Sequence, residues 1–500
     1  MKLCVMVLLV AALPASAQDL SGYNRALSAF NGGDFEAAAA AFFDVMENST
    51  DADLKRKSEY YLAQSLLKRG LPLSALGYFA GIVRAGKSHP NYLKSVEGVV
   101  TVQEQLNDQE LVPRLLNEQY NDDWAILPLE VLSRINFLIG RFSLRQNKLE
   151  EAKGFFEAVP PEGSVFPAAQ YLLGITLVDP RFPGGPKPEE AIKVFMNVVN
   201  LKDEKQRGLA ATKQLATLAI GRTYYGQEEY ARASEWYEKI PRFSKFWDES
   251  LFENGFARFQ NDDLGGSLGA LQALHAPQFA GAFQPESWIL KATVYYFSCL
   301  HTEAKTALAA FDDVYLPMVD KLKPVLEQGG ADLSFYYKLI ASEDARIPKP
   351  VLNGIRNNER MKGMLDLVRH FDEEKATVES IQSWRAGKVG SEIAGYLNQN
   401  RANIEGQAAK LAKIRLTDAQ KTVKGFANQA EIIRFETSKA EKELAEQGVN
   451  QKALLRSQTL YRPKSPAENF QYWKFQGEFW RDEIGYYRYT LKRGCPVANQ

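Results

Sequence analysis

Two short stretches carry patterns that bind phosphate or activate a nucleophile in other proteins. Residues 81–88, GIVRAGKS, match GxxxxGK[ST], in which backbone N–H groups, a lysine and a helix N-terminus hold the phosphates of a nucleotide. That chemistry requires a strand before the loop and a helix after it. Here the preceding ALGYFAGIV reads as a helix, and His89 and Pro90 follow the loop. The context argues against nucleotide binding, so Lys87 is expected to be a solvated loop charge.

The second pattern, GGSLG at residues 265–269, matches the GxSxG elbow that presents a nucleophilic serine. Such an elbow needs a sharp strand-to-helix turn, with an acid and a histidine later in the chain. Ser267 instead occupies the small-residue position of a predicted helix, where its hydroxyl would be buried. His275 belongs to the following loop. Hydrolase activity is therefore not expected from this motif.

Metal binding and catalysis by carboxylates have little support in the sequence. The four histidines lie far apart, and none has a histidine or cysteine partner at ligand spacing. We therefore expect no catalytic residue, no cofactor and no metal. The alternative is an enzyme or substrate-recognition subunit of cell-wall (peptidoglycan) metabolism, with Glu286 or Glu478 as a partly buried carboxylate. Neither residue has a distinctive motif around it.

Charge and hydropathy exclude other classes. The chain has 61 basic and 61 acidic residues, so its formal net charge is zero and no global field favours nucleic acid. Hydrophobic residues make up 45% of the chain, which is enough for a substantial core. We expect no nucleic-acid partner and no transmembrane segment.

An internal repeat accounts for most of the chain. In residues 221–241, the small residue Gly221 is followed twelve positions later by Ala233 and then by the bulky Tyr237. A degenerate copy surrounds Gly98. Gly174, Ala191, Phe195 is a variant whose turn is lengthened by DPRFPGGPKPEE. The same twelve-residue arrangement recurs five more times: Ala26, Ala38, Phe42; Ala63, Ala75, Phe79; Gly140, Ala152, Phe156; Gly255, Ser267, Leu271; Ala292, Ala304, Leu308.

Helix packing explains this spacing. Two antiparallel helices approach closely only where small side chains meet, and a bulky residue one turn later fills the space beside the crossing. One hairpin cannot bury its apolar face alone, so stacking of neighbours supplies the core. The pattern resembles the tetratricopeptide repeat (TPR), whose closing proline is present in YARASEWYEKIP and LEEAKGFFEAVP. The predicted fold is all-α: a TPR-like superhelical solenoid of about eight helical hairpins, over residues 18–317.

The remaining chain is divided by composition. Residues 318–360 read as a connector with several glycines and prolines, and residues 361–448 as long helices or a loose coiled coil. The heptad pattern in the latter is weakened by small and polar residues, so it fits either self-packing or a partner and gives no firm support for a homo-oligomer. Residues 449–500 form an aromatic tail, with a helix predicted around residues 470–489.

The first seventeen residues have the features of a secretory signal. Lys2 precedes the apolar run 3–13, and Ala15, Ser16 and Ala17 form a small-residue cleavage site. The run is shorter than the roughly 20 residues needed to span a bilayer. We therefore expect cleavage after Ala17 and a periplasmic protein.

A solenoid of this kind lines a concave groove with the first helices of its hairpins. Projection from the small residues places aromatic and arginine side chains there, the residue types that are enriched at binding hot spots. The alternative is that several of them pack between repeats. The predicted partner groove comprises Arg134, Phe137, Arg141, Arg222, Tyr225, Phe252, Phe256, Phe259, Ile289 and Tyr296.

The aromatic tail has three explanations: a helix packed on the body, a docking surface or a membrane belt. Charged residues interrupt the rings, which argues against a membrane belt. We expect the tail to fold back onto the last repeats. Cys299 and Cys495 could form a disulfide in an oxidising compartment, or stay as two unpaired thiols.

A wider resemblance covers most of the chain. KIPRFSKFWDESLFENGFARFQ, LQALHAPQFAGAFQPESWILKATVYYFSCL and FQGEFWRDEIGYYRY resemble segments of periplasmic tetratricopeptide proteins of gliding and predatory bacteria. Some members of that group are associated with adventurous gliding motility. The resemblance implies a non-enzymatic scaffold that binds an envelope protein or peptide in its groove.

Overall fold

The computed structural model describes residues 15–202, 208–385, 387–459 and 478–495. Within these ranges the regular structure consists of α-helices and short 3-10 helices, without any strand, which confirms the all-α prediction. The predicted signal, residues 1–17, lies almost wholly outside the described residues. No helix in the described part of the chain is long and apolar enough to cross a membrane.

The described residues divide into two compact units that are interleaved along the chain. The first unit is formed from Met1–Lys148, Ala158–Val165 and Lys362–Ala408. The second is formed from Leu149–Glu157, Phe166–Met361 and Ala409–Gln500. This division differs from the sequential order of solenoid, connector, long helices and tail, because later helices return to earlier repeats.

The first unit begins with seven helices, and each of the first four packs on the next one in the chain. Such neighbour-to-neighbour packing is typical of a helical-hairpin solenoid. The helices are α1 (Ala15–Asn31), α2 (Phe35–Asn48), α3 (Ala52–Lys68), α4 (Pro72–Ala85), α5 (Tyr92–Leu106), α6 (Leu111–Gln119) and α7 (Leu129–Arg145).

The second unit continues with eleven helices, and each one from α8 to α15 packs on its successor. They are α8 (Leu149–Glu157), α9 (Phe166–Leu177), α10 (Pro188–Val199), α11 (Leu209–Gly226), α12 (Tyr230–Tyr237), α13 (Trp247–Gln260), α14 (Leu264–Leu274), α15 (Glu286–Phe297), α16 (His301–Gly329), α17 (Leu333–Ala341) and α18 (Lys349–Arg356).

Four helices complete the fold: α19 (Glu359–Ser380), α20 (Gln382–Arg385), α21 (Lys388–Glu446) and α22 (Gln451–Ser457). The 59-residue helix α21 contributes residues to both units. In the first unit, Trp384 donates its indole N–H to the carbonyl of Glu36 at 3.1 Å. In the second, Arg434 of α21 forms an ion pair with Asp312 of α16. Both ends of this region therefore pack on the repeats of their own chain.

The repeat signature matches the observed helix crossings. A Cβ added to Gly221 would lie 2.7 Å from the ring of Tyr237, and one added to Gly255 would lie 3.3 Å from Leu271. Ala233 is fully buried. Glycine and alanine are needed at these positions because the bulky residue of the second helix occupies the space where a larger side chain would project.

Three features of the C-terminal half differ from expectation. Pro317 lies inside α16, so the end of the repeats at residue 317 is not the end of a helix. The predicted connector, residues 318–360, is largely helical, because it comprises the rest of α16 together with α17 and α18. In the tail, residues 481–485 form a turn, and the other residues of 478–495 have no regular secondary structure, so the described part of the tail is not a helix. The remainder of the predicted tail helix, residues 470–477, lies outside the described residues.

Candidate partner-binding surface

The two catalytic-looking motifs serve the packing of helices. Lys87 follows α4 and forms an ion pair with Asp123 at 2.7 Å, with no strand before it. Ser267 lies inside α14, fully buried, and donates its hydroxyl to the carbonyl of Gly255 at 2.8 Å. The serine therefore joins α13 to α14 at their crossing, and its hydroxyl is not presented to a substrate.

In the second unit, the first helices of three hairpins, α11, α13 and α15, carry the predicted aromatic residues. We call the solvent-facing side of these helices the first-helix surface. On α13, Phe252 and Phe256 are half-buried and meet edge to face, with ring centroids 5.2 Å apart. Phe259 meets Phe297 of α15 at 5.9 Å. Aromatic surface thus extends from α13 to α15.

Phe297 is the residue that projection from the sequence missed. Its side chain is 63% exposed and contacts the half-buried Tyr296, which the projection selected, at 5.7 Å between ring centroids. Phe297 is the last residue of α15, where no following helical turn covers the side chain. This position at the helix end is the feature that could have indicated its exposure. Phe297 is therefore the most accessible ring of this aromatic group.

The prediction that Ile289 lines the partner groove is wrong. The side chain of Ile289 is only 5% exposed and belongs to the core, so it cannot contact a partner. Phe252 also packs partly against a buried cluster that includes Trp247 and Leu251. Tyr225, another predicted groove residue, packs against the same cluster. The alternative that some predicted groove residues fill the space between repeats therefore holds for Ile289 entirely and for Tyr225 and Phe252 in part.

Arg222 links α11 to α13 through charge. Its guanidinium donates to Glu253 at 2.6 Å and to Glu249 at 2.5 Å. Burial acts to lower the pKa of Arg222, but the hydrogen bonds and charges of the two carboxylates outweigh it and raise the pKa. Burial raises the pKa of Glu253, against the opposing effect of Arg222. This arginine is thus engaged within the protein, and only part of its side chain remains accessible.

The first unit contains a similar link. Arg134 of α7 forms ion pairs with Glu104 of α5 at 2.6 Å and with Glu130 at 2.9 Å. The side chains of Phe137 and Arg141, on the same helix, are half-buried. These three residues belong to the first unit, whereas the other predicted groove residues belong to the second, so they are not part of the first-helix surface.

The two carboxylates considered for catalysis lie in different elements, Glu286 in α15 and Glu478 in the tail. Burial raises the pKa of Glu286, which begins α15. Glu478 is half-buried in the tail. Among the described residues there is no group of three or more histidine, cysteine, aspartate or glutamate side chains placed to hold a metal ion.

The tail docks on the second unit. Ile484 is 2% exposed and packs in the cluster formed by Trp247, Leu251 and their neighbours. Arg242 donates to the carbonyls of Arg481 at 2.8 Å and Asp482 at 3.0 Å. The tail is therefore held by both apolar burial and hydrogen bonds.

A covalent bond also holds the tail. Cys299 and Cys495 form a disulfide, with Cα atoms 5.4 Å apart across 196 residues of sequence. Gly494 donates its N–H to the carbonyl of Ser298 at 3.0 Å beside the bond. The distance fits the usual Cα separation of bonded cysteines, about 4.4–6.8 Å.

No protein-family model matches the chain, and no curated protein sequence matches it. One similar solved structure is described as "Crystal Structure of the Apo Form of RapI". The identity is 10% and the TM-score 0.30, with 77% of this chain and 98% of that chain covered. At this TM-score the likeness carries no argument about function.

Proposed function

We propose that this protein is a non-enzymatic scaffold that binds a segment of a partner protein on its first-helix surface. The observation that carries the proposal is the aromatic group of Phe256, Phe259 and Phe297, which leaves ring surface accessible on two successive hairpins. Aromatic residues anchor protein interfaces because they bury a large area at a low cost in side-chain entropy.

Helical hairpins suit this function. Successive first helices present side chains at regular intervals on a rigid frame, so an extended or helical partner can contact several repeats at once. The ion pairs of Arg222 with Glu249 and Glu253 join adjacent first helices and hold the aromatic residues of α13 in position. The partner is expected to supply an apolar side chain that packs on the exposed side of Phe259 and Phe297.

Site-specific photo-cross-linking in cells tests the proposal. A photoreactive phenylalanine analogue at position 297 is expected to capture one discrete partner. The matched control is position 432 on α21, where Ile432 is 62% exposed, similar to the 63% of Phe297. With the analogue at position 256, the otherwise unaltered protein is expected to capture the same partner. The double variant Phe259→Ser, Phe297→Ser is expected to lose this cross-link from position 256 while keeping its helical circular dichroism. An identical capture pattern at positions 297 and 432 would contradict a specific surface.

The proposed function includes a cellular location and a cellular process for this protein. We place the scaffold in the periplasm, within a cell-envelope complex, with gliding motility as the process that the sequence resemblance implies. The signal-like residues 1–17 and the Cys299–Cys495 bond support export, since disulfides persist in oxidising compartments. Fusion of the full chain to alkaline phosphatase, which is active only outside the cytoplasm, is expected to give activity that depends on residues 1–17.

The non-enzymatic part has its own test. Purified protein incubated with peptidoglycan is expected to release no soluble fragments. Cleavage that disappears in Glu478→Gln or Glu286→Gln would instead favour an enzyme of cell-wall metabolism.

A further inference from the structure

Helix α14 is shaped to accept a second backbone. Gly265 and Gly269 lie one turn apart, and a Cβ on either would overlap the carbonyl oxygen of Tyr489 or Tyr487 respectively. The N–H of Tyr489 donates to the carbonyl of Gly265 at 3.0 Å. Glycine is therefore required here so that the backbone of the tail can approach the helix. The GxSxG-like stretch thus has a binding role: its two outer glycines contact the tail, and Ser267 lies between them.

Side chains along the tail are recognised individually. Ile484 fills an apolar cluster, and Gly485 has a φ of +96° with no room for a side chain beside Trp247. Arg488 makes two bonds to the carboxylate of Asp263, at 2.7 and 3.1 Å. The hydroxyl of Tyr489 donates to Gln272 at 3.2 Å. The ring of Tyr487 also packs against the apolar cluster, whereas Tyr486 is 71% exposed. From residue 484 to residue 489, these contacts specify an apolar residue, glycine, any residue, an aromatic residue, arginine and tyrosine.

The contacts made by residues 484–489 do not need the tail to be joined to the same chain. They are an apolar pocket, a backbone hydrogen bond, a carboxylate for one arginine and an amide for one tyrosine. Another chain with the same pattern could supply every partner. What favours the chain's own tail is its attachment, through the preceding chain and through the Cys299–Cys495 bond, which keeps its local concentration high.

We propose that α14 and the adjoining start of α13 form a binding site for a peptide segment with the pattern apolar–Gly–x–aromatic–Arg–Tyr. The tail is its resident ligand, and the disulfide controls whether a partner segment with this pattern can replace it. The site is defined by contacts of Asp263, Gly265, Gly269 and Gln272, and the proposal does not depend on binding at the first-helix surface.

Opening the site requires reduction of one disulfide. A dithiol attacks one sulfur through its thiolate and forms a mixed disulfide, releasing the other cysteine as a thiolate that takes up a proton. The second thiol of the reductant then displaces the remaining cysteine. The products are the Cys299 and Cys495 thiols and the oxidised dithiol, so two electrons and two protons pass to the protein.

The test uses the whole chain with one engineered protease site between residues 460 and 477. After cleavage, the disulfide is expected to retain the tail fragment through gel filtration. With dithiothreitol the fragment becomes a free ligand. A fluorescent peptide of residues 478–495, carrying Cys495→Ser, is then expected to bind saturably, as measured by anisotropy. Binding to the oxidised, cleaved protein is expected to be at least about tenfold weaker, because the tethered tail competes.

Matched variants identify the site. Gly269→Ala in the protein is expected to abolish peptide binding, whereas Gly226→Ala, where a Cβ meets nothing within 4 Å, is expected to leave it unchanged. In the peptide, Arg488→Ala is expected to weaken binding by about tenfold through loss of the bonds to Asp263. No saturable binding to the reduced, cleaved protein would overturn the proposed site. Equal binding with and without dithiothreitol would overturn control by the disulfide.

Discussion

The carboxylate of Glu374 accepts both the backbone N–H and the hydroxyl of Ser74, at 2.9 and 2.8 Å, across 300 residues of sequence. It also accepts the N–H of Leu73 at 2.7 Å. These N–H groups lie in the first turn of α4, where they have no partner within the helix. Glu374 of α19 therefore caps α4 from another element and fixes α19 to the repeats of the first unit.

This cap predicts a pH dependence of stability. Burial raises the pKa of Glu374 to about 7, although the bonds to Leu73 and Ser74 oppose the effect. Because the folded pKa lies above the ordinary value of 4.5, the native state binds the proton more tightly than the unfolded state. The contribution of protonated Glu374 to the free energy of unfolding is fully present below pH 4.5. It decreases by about 3 kcal/mol as the pH rises through 7. Urea unfolding from pH 4.5 to 8 measures it.

The controls for Glu374 are variants at adjacent positions. Glu374→Gln is expected to remove most of this pH dependence, and to lower stability at pH 5 by about 1–3 kcal/mol because an amide cannot accept every N–H. Glu373→Gln, on an exposed side chain paired with Arg369, is expected to leave the pH profile unchanged. The same slope in Glu374→Gln and in the unaltered protein would show that another group is responsible.

Two glycines distinguish packing from helix propensity. Gly221→Ala is expected to destabilise the protein by about 1–3 kcal/mol, because the new Cβ would lie 2.7 Å from Tyr237. Gly154→Ala, in the middle of α8 with nothing within 4 Å, is expected to stabilise it by about 0.5–1 kcal/mol. Urea unfolding of both variants checks the pair. Stabilisation by Gly221→Ala would contradict the close crossing of α11 and α12.

A charge at Ile484 is expected to detach the tail. The side chain is 2% exposed, so the aspartate in Ile484→Asp would lose its hydration, at a cost of more than about 2 kcal/mol. Hydrogen exchange at Tyr489, which donates to Gly265, is expected to accelerate. Tyr486→Asp serves as the control, since Tyr486 is 71% exposed. Unchanged protection of Tyr489 in Ile484→Asp would mean that the apolar contact does not hold the tail.

Loss of Arg222 is expected to cost more at high pH. Arg222→Ala leaves Glu249 and Glu253 facing each other without a cation, and Glu253 has a pKa raised by burial. Since acid protonates Glu253, the loss should be larger at pH 8 than at pH 5. We expect about 1–2 kcal/mol at pH 8, reduced by solvent screening because Arg222 is 39% exposed. The control is Arg232→Ala, because Arg232 forms an exposed ion pair with Glu229, and this variant is expected to change stability little at either pH. Urea unfolding at pH 5 and pH 8 compares the two variants.

Positions separated by a few turns were predictable. The spacing of Gly221, Ala233 and Tyr237 predicted both the hairpin and the crossing. A short turn brings Gly221 of α11 opposite Ala233 of α12, and the spacing of four places Ala233 and Tyr237 on one face of α12. The burial of Ile289 and the exposure of Phe297 were not predicted. Successive side chains on a helix point in directions about 100° apart around its axis. A modest rotation of α15 about its axis therefore decides which of its side chains are exposed to solvent.

The sequence by itself determined the all-α class, the helical hairpins and the improbability of the two catalytic-looking motifs, because each depends on local periodicity and on the elements beside it. Only the tertiary structure decided where distant segments meet. Nothing near Glu374 indicates that it caps Ser74, and nothing near Gly269 indicates that it accepts the backbone of Tyr487. Such contacts depend on complementary surfaces that packing brings together. The sequence around one contact residue contains no periodic pattern that identifies the distant residue it meets.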